Sequence, residues 1–460
     1  MELKLMKSPP VAPVLANPVN EQSVLQSLLV IALPIMVSNL LQSVLEVVDL
    51  YFVGRLGAEA IAGVSMSLVL IITLMTVVIG LNTATMAFIA RAYGAREYDR
   101  VGGILVHSMI AGAFFALMLA GIGYFFANDI IVALGATPTV ASFGGRYLSV
   151  FLLGIGSMIE LWILSSAFQS VGNARTPMIV MVIVNIINIV LNPLLIFGAG
   201  PVPAFGVVGS ALATVGSRSL GLILLIYVVL GGKTPLTFSR SNRFDPSFLV
   251  RLFRVAIPNS VQSGMRSLSF ILLMSVVAIF GSSAVSAYGI AIRLEFIALM
   301  PGFAIATAAA VLVGQNIGAC RLDRAESGVR YALLLYGGIM AVTACVYFFF
   351  AEGLIGFFDP SGVSTVIGAG YLHTITPFYL LNAVAIILSF AMNGAGATTY
   401  PMFATTVALI LVQIPLAIIL PGLLGAGIVG VWIAIVIAII VQFGLLGYLY
   451  QRGSWKKVCL

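Results

Sequence analysis

The segment Gly94-Ala95-Arg96-Glu97-Tyr98-Asp99-Arg100 returns 224 residues later as Gly318-Ala319-Cys320-Arg321-Leu322-Asp323-Arg324, keeping the Gly-Ala and Asp-Arg pairs in register. Working outward at the same offset, Pro34 falls on Pro258, Ser43 on Ser267, Gly57 on Gly281 and Ala60 on Ala284. In the other direction, Tyr147-Leu148 falls on Tyr371-Leu372, Ser165 on Ser389, Gly172 on Gly396 and Pro177 on Pro401. A single register from Pro34 to Pro177 marks an internal duplication.

What is duplicated follows from composition. Of 460 residues, 61% are hydrophobic and 8% charged, against roughly half apolar and a quarter charged in soluble domains. A water-soluble globule is excluded. A bilayer core about 30 Å thick needs about 20 apolar residues per helical span. Apolar runs predict twelve spans, near 23–53, 60–88, 101–126, 146–170, 177–198, 206–232, 248–279, 285–312, 327–350, 369–392, 401–420 and 425–450. The stretch 233–247, flanked or interrupted by Gly231, Gly232, Pro235 and Pro246, reads as a linker. The predicted units are therefore an arm 1–22, a first bundle 23–232, the linker 233–247, a second bundle 248–450 and a tail 451–460. Six spans per copy is an even number, so both copies point the same way. The expected fold is all-α, two six-helix bundles related by a pseudo-two-fold axis along the membrane normal, with a cleft between them.

Lys and Arg number 22 against 15 Asp and Glu, an excess of +7. The basic residues gather at Lys4 and Lys7, at Arg91, Arg96 and Arg100, at Arg175, at Lys233 to Arg254, at Arg321, Arg324 and Arg330, and at Arg452, Lys456 and Lys457. These clusters alternate with nearly uncharged hairpins. That is the positive-inside pattern of a multi-pass protein of the plasma (inner) membrane, with both termini and the even-numbered connections cytoplasmic. The charge reports topology and points to the lipid bilayer, not to nucleic acid. The proline-rich arm lacks the layout of a cleavable signal peptide. Cys320, Cys345 and Cys459 have no metal-ligand spacing, and His107 and His373 are isolated. No nucleophile stands with a base and HExxH is absent, so an enzyme is not expected.

Seven charged side chains fall inside predicted spans: Glu46, Asp49, Glu160, Arg218, Arg266, Arg293 and Glu295. Each costs about 2.5–3.5 kcal/mol at a helix centre and is a functional candidate by default. Asp49 and Glu46 share a face in the outer half of span one. Span five carries Asn185, Asn188 and Asn192 at spacings of three and four, and span six returns with Ser210 and Thr214 at the matching depth. Carboxylate, carboxamide and hydroxyl groups can thus converge in the outer half of the first bundle. Such a pocket suits a proton or Na+, because low dielectric favours a neutral carboxyl and a nearby cation reverses that preference. Asn and Thr oxygens are hard ligands for an alkali cation, with Na+ at Asp49, Asn188 and Asn192. For Asn185, interhelical hydrogen bonding is the expected role. Glu160 with Arg218, and Arg266 with Glu295, lie at matching depths and are expected to form ion pairs or to line the cavity; Arg293 faces elsewhere. At the repeat offset Glu46 falls on Phe270 and Asp49 on Leu273. Coupling is therefore expected mainly in the first bundle.

The stretch Val48-Asp49-Leu50-Tyr51-Phe52-Val53-Gly54-Arg55-Leu56-Gly57 with Ala58-Glu59-Ala60 closely resembles the first-helix signature of the multidrug and toxic compound extrusion (MATE) transporters of prokaryotic type. The same family is resembled by Ala90 to Ala95, Gly172 to Pro177, Asn188 to Pro193, Gly206 to Ala211, Tyr288-Gly289-Ile290 with Arg293 and Glu295, and Val313 to Ala319. The resemblance implies a V-shaped pair of bundles exporting amphipathic, often cationic small molecules in exchange for H+ or Na+, with no other cofactor; nothing in the sequence requires a partner chain, and a monomer is expected. It implies that Asp49 is the coupling acid, with Asn188, Asn192, Thr214 and Gln42 as partners. Some relatives carry Asp where Asn192 stands, Tyr where Leu45 stands and Asn where Glu46 stands, so Glu46 can replace the missing acid. Pro34 is the expected hinge of span one. Acids in spans seven and ten, a second cation site in some members, have no counterpart. A flippase for a lipid-linked sugar or cell-wall precursor shares the architecture and is the alternative.

Overall fold

The computed structural model describes residues 23–232, 234–238, 245–359 and 362–458. The predicted arm 1–22, linker residues 233 and 239–244, and Cys459 lie outside the described residues. The first half comprises α1 (Val24–Gly54), α2 (Ala58–Gly94), α3 (Tyr98–Ala133), α4 (Pro138–Leu153), α5 (Ile155–Ser170), α6 (Arg175–Phe197) and α7 (Val207–Leu230). The second comprises α8 (Pro246–Ala278), α9 (Ser282–Gly318), α10 (Leu322–Phe349), α11 (Ala351–Phe358), α12 (Thr365–Ile375), α13 (Tyr379–Gly394), α14 (Thr399–Thr406), α15 (Ile414–Leu423) and α16 (Ile428–Gln451). Among the described residues, eleven helical segments, with α12–α13 and α14–α15 counted as one each, are long and apolar enough to cross a membrane, and the bent pair α4–α5 taken as one span makes twelve. The fold is the predicted all-α membrane architecture of two six-span bundles.

Local chemistry sets several boundaries. The Ser23 hydroxyl caps α1 by accepting from the Gln26 backbone N–H, and Asp245 caps α8, with Pro246 opening the helix. Both choices satisfy or remove donors that the first helical turn leaves unpaired. The repeat mates α2 and α9 each run 37 residues, about 55 Å at 1.5 Å per residue. That exceeds a bilayer core by many ångströms, so both project past the membrane. Apolar patterning placed their ends at 88 and 312, because Arg91, Gln315 and Asn316 read as polar flanks rather than helix.

Span four differs from the single helix predicted near 146–170: it begins at Pro138 and bends by 49° between α4 and α5. Its repeat mate breaks at the same place. Gly154 falls on Phe378, the last residue of a single 3-10 turn, Thr376–Phe378, between α12 and α13. In the second copy Pro377 has no N–H to continue the α-helical ladder. In span eleven a π-helical stretch, Val407–Gln413, joins α14 to α15.

Two apolar cores form, but they do not divide at the linker. Leu28, Ile31, Ala32 and Ile35 of α1 belong to the core of the second half, while Phe248, Leu252, Val255 and Ala256 of α8 belong to the core of the first. The halves exchange the beginnings of their first helices. At this linker end α2 and α9 also cross in near contact: a Cβ on Gly94 would lie 1.9 Å from the Gln315 carbonyl oxygen, and one on Gly318 would lie 2.0 Å from that of Arg91. Gly94 and Gly318 are repeat mates, as are Arg91 and Gln315, so the crossing obeys the pseudo-two-fold. Gln315 Nε2 also donates to the Ser170 carbonyl at 2.7 Å. The tail strengthens the closure. The Arg91 guanidinium of the first half donates to the Val458 carbonyl, Lys456 pairs with Glu326 of the second half, and Trp455 between them is fully buried.

Candidate functional site

Asp49 lies near the end of α1 and is bonded from two other helices. Its Oδ1 accepts from Asn192 Nδ2 of α6, and its Oδ2 accepts from the Thr214 hydroxyl of α7 at 3.3 Å. Asn192 Nδ2 also donates to Asn188 Oδ1 at 3.0 Å, one turn away. Asn188 Nδ2 reaches Thr214 Oγ1 and Ser217 Oγ, each at 3.4 Å, and the Ser217 hydroxyl donates to the Thr214 carbonyl at 3.1 Å. Asn188, Asn192 and Ser217 are fully buried and Thr214 nearly so. The spacing of three and four along α6, and of three along α7, puts each set on one face. The packing of α6 against α7 and α1 turns those faces toward one another.

A second branch starts at Arg218, adjacent to Ser217. Its Nη2 donates to Gln42 Oε1 at 3.2 Å, and Gln42 Nε2 donates to Glu46 Oε1 at 3.2 Å. Arg218 engages both Asp49 and Glu46 electrostatically, and the buried Tyr147 of α4 lies within reach of Asp49 and Arg218. Glu46 is exposed and does not bond to Asp49; it joins the site through Gln42. Hydrogen bonds donated to an ionised group are worth about 1.5–3 kcal/mol each. Two of them plus a guanidinium can hold the half-buried carboxylate as an anion. Buried and without a bonded partner, Asn192 Oδ1 remains as a further oxygen beside Asp49, so the donor set suits a hard monovalent cation. Among the described residues no group of three His, Cys, Asp or Glu could hold a metal ion.

Three expectations are corrected. Glu160 does not pair with Arg218. It faces α3, its Oε1 2.8 Å from where a Cβ on Gly112 would stand, and neither of its oxygens has a bonded partner. Arg266 does not pair with Glu295 either: Glu295 Oε2 accepts from the Tyr371 hydroxyl at 2.6 Å, and neither residue takes part in the ion pairs Arg100–Glu97, Arg251–Asp245 and Lys456–Glu326. Depth along a helix matched in both cases, but rotation about it did not. Asn185 makes no interhelical bond; both amide atoms are buried without a partner, at a cost of about 1–3 kcal/mol per group. Arg293 is exposed. Ser210 is buried with its hydroxyl unbonded. Pro34 is buried inside an unbroken α1, its carbonyl accepting from Ser38 Oγ at 3.0 Å. Sequence reasoning missed Ser217, whose spacing of three from Thr214 was the available signal, and it used Tyr147 only as a marker of the repeat.

A chain of twelve spans in two repeated bundles, with a carboxylate held by amide and hydroxyl groups inside one of them, is a multi-pass membrane protein of the transporter kind. A MatE family model matches residues 34–194 and 258–419. The chain belongs to that family, the MATE transporters. The matched segments begin at Pro34 and Pro258, which the internal repeat superposes. The chain is similar to "Probable multidrug resistance protein YoeA" of Bacillus subtilis strain 168, 29% identical over 450 residues and covering 97% of each chain. It is also similar to "Probable multidrug resistance protein NorM" of Thermotoga maritima, 26% identical over 436 residues, 94% of this chain and 93% of the relative. Among solved structures, a MATE in the bent conformation superposes with a TM-score of 0.89 at 22% identity over 98% of both chains, which speaks to the fold alone.

Proposed function

We propose that the protein is a secondary active multidrug exporter that expels amphipathic, often cationic small molecules from the cell in exchange for H+ or Na+, acting as a monomer in the plasma membrane with both termini cytoplasmic. The names of the similar chains support the substrate class, and the basic clusters support the orientation. With that orientation the crossing of Gly94 and Gly318 seals the cytoplasmic side. The observation that carries the coupling role is the enclosure of Asp49 by Asn192 and Thr214.

The mechanism is an exchange of counter-charges. Ionised Asp49, steadied by its two donors and by Arg218, favours the drug-binding state. An ion arriving from outside neutralises it, loosens the bonds from α6 and α7, and shifts the balance toward release, with Pro34 as the hinge of α1. The ion moves this balance only through its differential affinity for the two states. Na+ needs several free oxygen ligands, and beside the carboxylate only Asn192 Oδ1 is unbonded, whereas a proton needs a single lone pair, so the proposed coupling ion is H+. The flippase alternative needs a strongly basic cleft for a pyrophosphate. Arg218 is committed to Gln42 beside two carboxylates, which leaves too little free positive charge in the first bundle.

In reconstituted vesicles, a pH gradient alone is expected to drive efflux of a fluorescent cation, and a Na+ gradient alone is not. Asp49→Asn is expected to insert normally and lose ion-driven efflux entirely. Normal efflux by that variant would remove the coupling role.

A further inference from the structure

The second bundle holds an acid that the exchange at Asp49 does not use. Glu295 sits within α9, and its Oε2 accepts from the Tyr371 hydroxyl at 2.6 Å. Four more tyrosines lie within its electrostatic reach: Tyr288 on its own helix, Tyr336 and Tyr347 on α10, and Tyr379 on α13. The Tyr347 hydroxyl is used by the Leu294 carbonyl at 2.9 Å. Tyr336 and Tyr379 are fully buried, and neither hydroxyl has a bonded partner. Rings pack together on one side: Tyr288 stacks on Trp432 of α16 at 5.7 Å between centroids, Tyr371 meets Trp432 edge-on at 5.0 Å, and Tyr288 meets Tyr371 at 5.7 Å.

Among the described residues, no basic side chain pairs with this acid. Arg293 is exposed two residues away, on another face of α9. Arg266 of α8 makes no ion pair with it, and His373 of α12 turns its ring to the Phe348 carbonyl. The repeat adds a second observation. Tyr371 is the mate of Tyr147, which lies within the electrostatic reach of Asp49 in the first bundle. Each half therefore puts the same tyrosine within the electrostatic reach of one half-buried acid, although the acids come from non-equivalent helices, α1 and α9.

We propose that Glu295 is a proton-binding site of the second bundle, a carboxyl that exchanges H+ inside a cage of phenols. Phenol hydroxyls donate to a carboxylate, so Tyr371, Tyr336 and Tyr379 can steady the anion when the proton leaves. The groups around the carboxyl are phenols, Tyr371 already donating to it, and not the several free oxygen ligands an alkali cation requires. A proton requires only one lone pair. For its part in transport this rests on the ion-coupled reading above; the binding itself does not.

The test is infrared difference spectroscopy of the purified full-length protein during acid–base titration, read together with Trp432 emission. A protonated-carboxyl band is expected to appear on acidification in the wild type and in Asp49→Asn, and its Glu295 component is expected to be lost in Glu295→Gln. Tyr371→Phe, which keeps the acid but deletes its bonded donor, is expected to move the midpoint. In Trp432→Phe the paired emission change is expected to vanish while the band persists. Retention of Asp49→Asn titration separates this proposal from failure of the efflux reading. A band and midpoint unchanged by Glu295→Gln and Tyr371→Phe would overturn it, as would an emission change driven by Na+ at constant pH.

Discussion

Asp49 shows what a single residue gains from its neighbours. The residue contributes only a short carboxylate; the donors that hold it come from Asn192 and Thr214, 143 and 165 positions along the chain. Glu160, equally acidic and also within a span, has neither donor nor cation and cannot do the same work. A residue-scale consequence outside the membrane concerns Asp245. Its carboxylate accepts from the Ser247 backbone N–H at 2.9 Å, and the bonding with Ser247 holds its pKa below the ordinary aspartate value. Because the folded value is depressed, the cap is present above the unfolded value and is lost as pH falls through the folded one. The protection of the Ser247 amide, its exchange rate relative to the intrinsic rate at the same pH, is expected to be present at neutral pH, to fall in strong acid, and to be low at every pH in Asp245→Ala. Equal protection in that variant would show that Pro246 alone starts α8.

At the scale of elements, the crossing of α2 and α9 is decided by the absence of two side chains. With 1.9 Å between a Gly94 Cβ and the Gln315 carbonyl oxygen, any substituent forces the helices apart, and overpacking of this kind costs about 1–3 kcal/mol. Gly94→Val is expected to shift the population away from the closed linker end by about that amount, seen as a longer component in spin-label distances across the ends of α2 and α9. An unchanged distance distribution would mean that the crossing is not what closes that end. The existence of both helices was legible in their apolar runs and their repeat. Their extra turns were not, because a polar residue at a helix–helix contact looks the same in sequence as one in water. The bend in span four has a related origin: the glycine at 154 permits it, but only its packing demands it.

For the whole molecule, the exchange of helix beginnings between the two cores changes what holds the halves together. Apolar side chains of α1 are buried in the second core and those of α8 in the first, at roughly 1.5–3 kcal/mol for each large side chain fully buried. The described contacts, rather than the linker, bind the halves. Severing the chain between Phe238 and Asp245 is therefore expected to leave the two fragments co-purifying in mild detergent, and fragments that separate would show that the covalent connection is what joins them. The two predicted ion pairs failed at this scale. Rise per residue places Glu160 level with Arg218 and Arg266 level with Glu295, but the rotation of each helix is chosen by the packing of all its neighbours at once. That choice sends Arg218 to Gln42 and Glu295 to Tyr371.

Span count, duplication and the residue types around Asp49 were determined by the amino-acid order alone, because transfer of apolar surface into lipid and the spacing of side chains along a helix are local properties. Which polar groups meet, where the halves interlock, and that Glu295 stands among phenols were decided only by the tertiary structure. Those outcomes depend on the azimuth and crossing of helices far apart in the chain, and close packing settles them collectively.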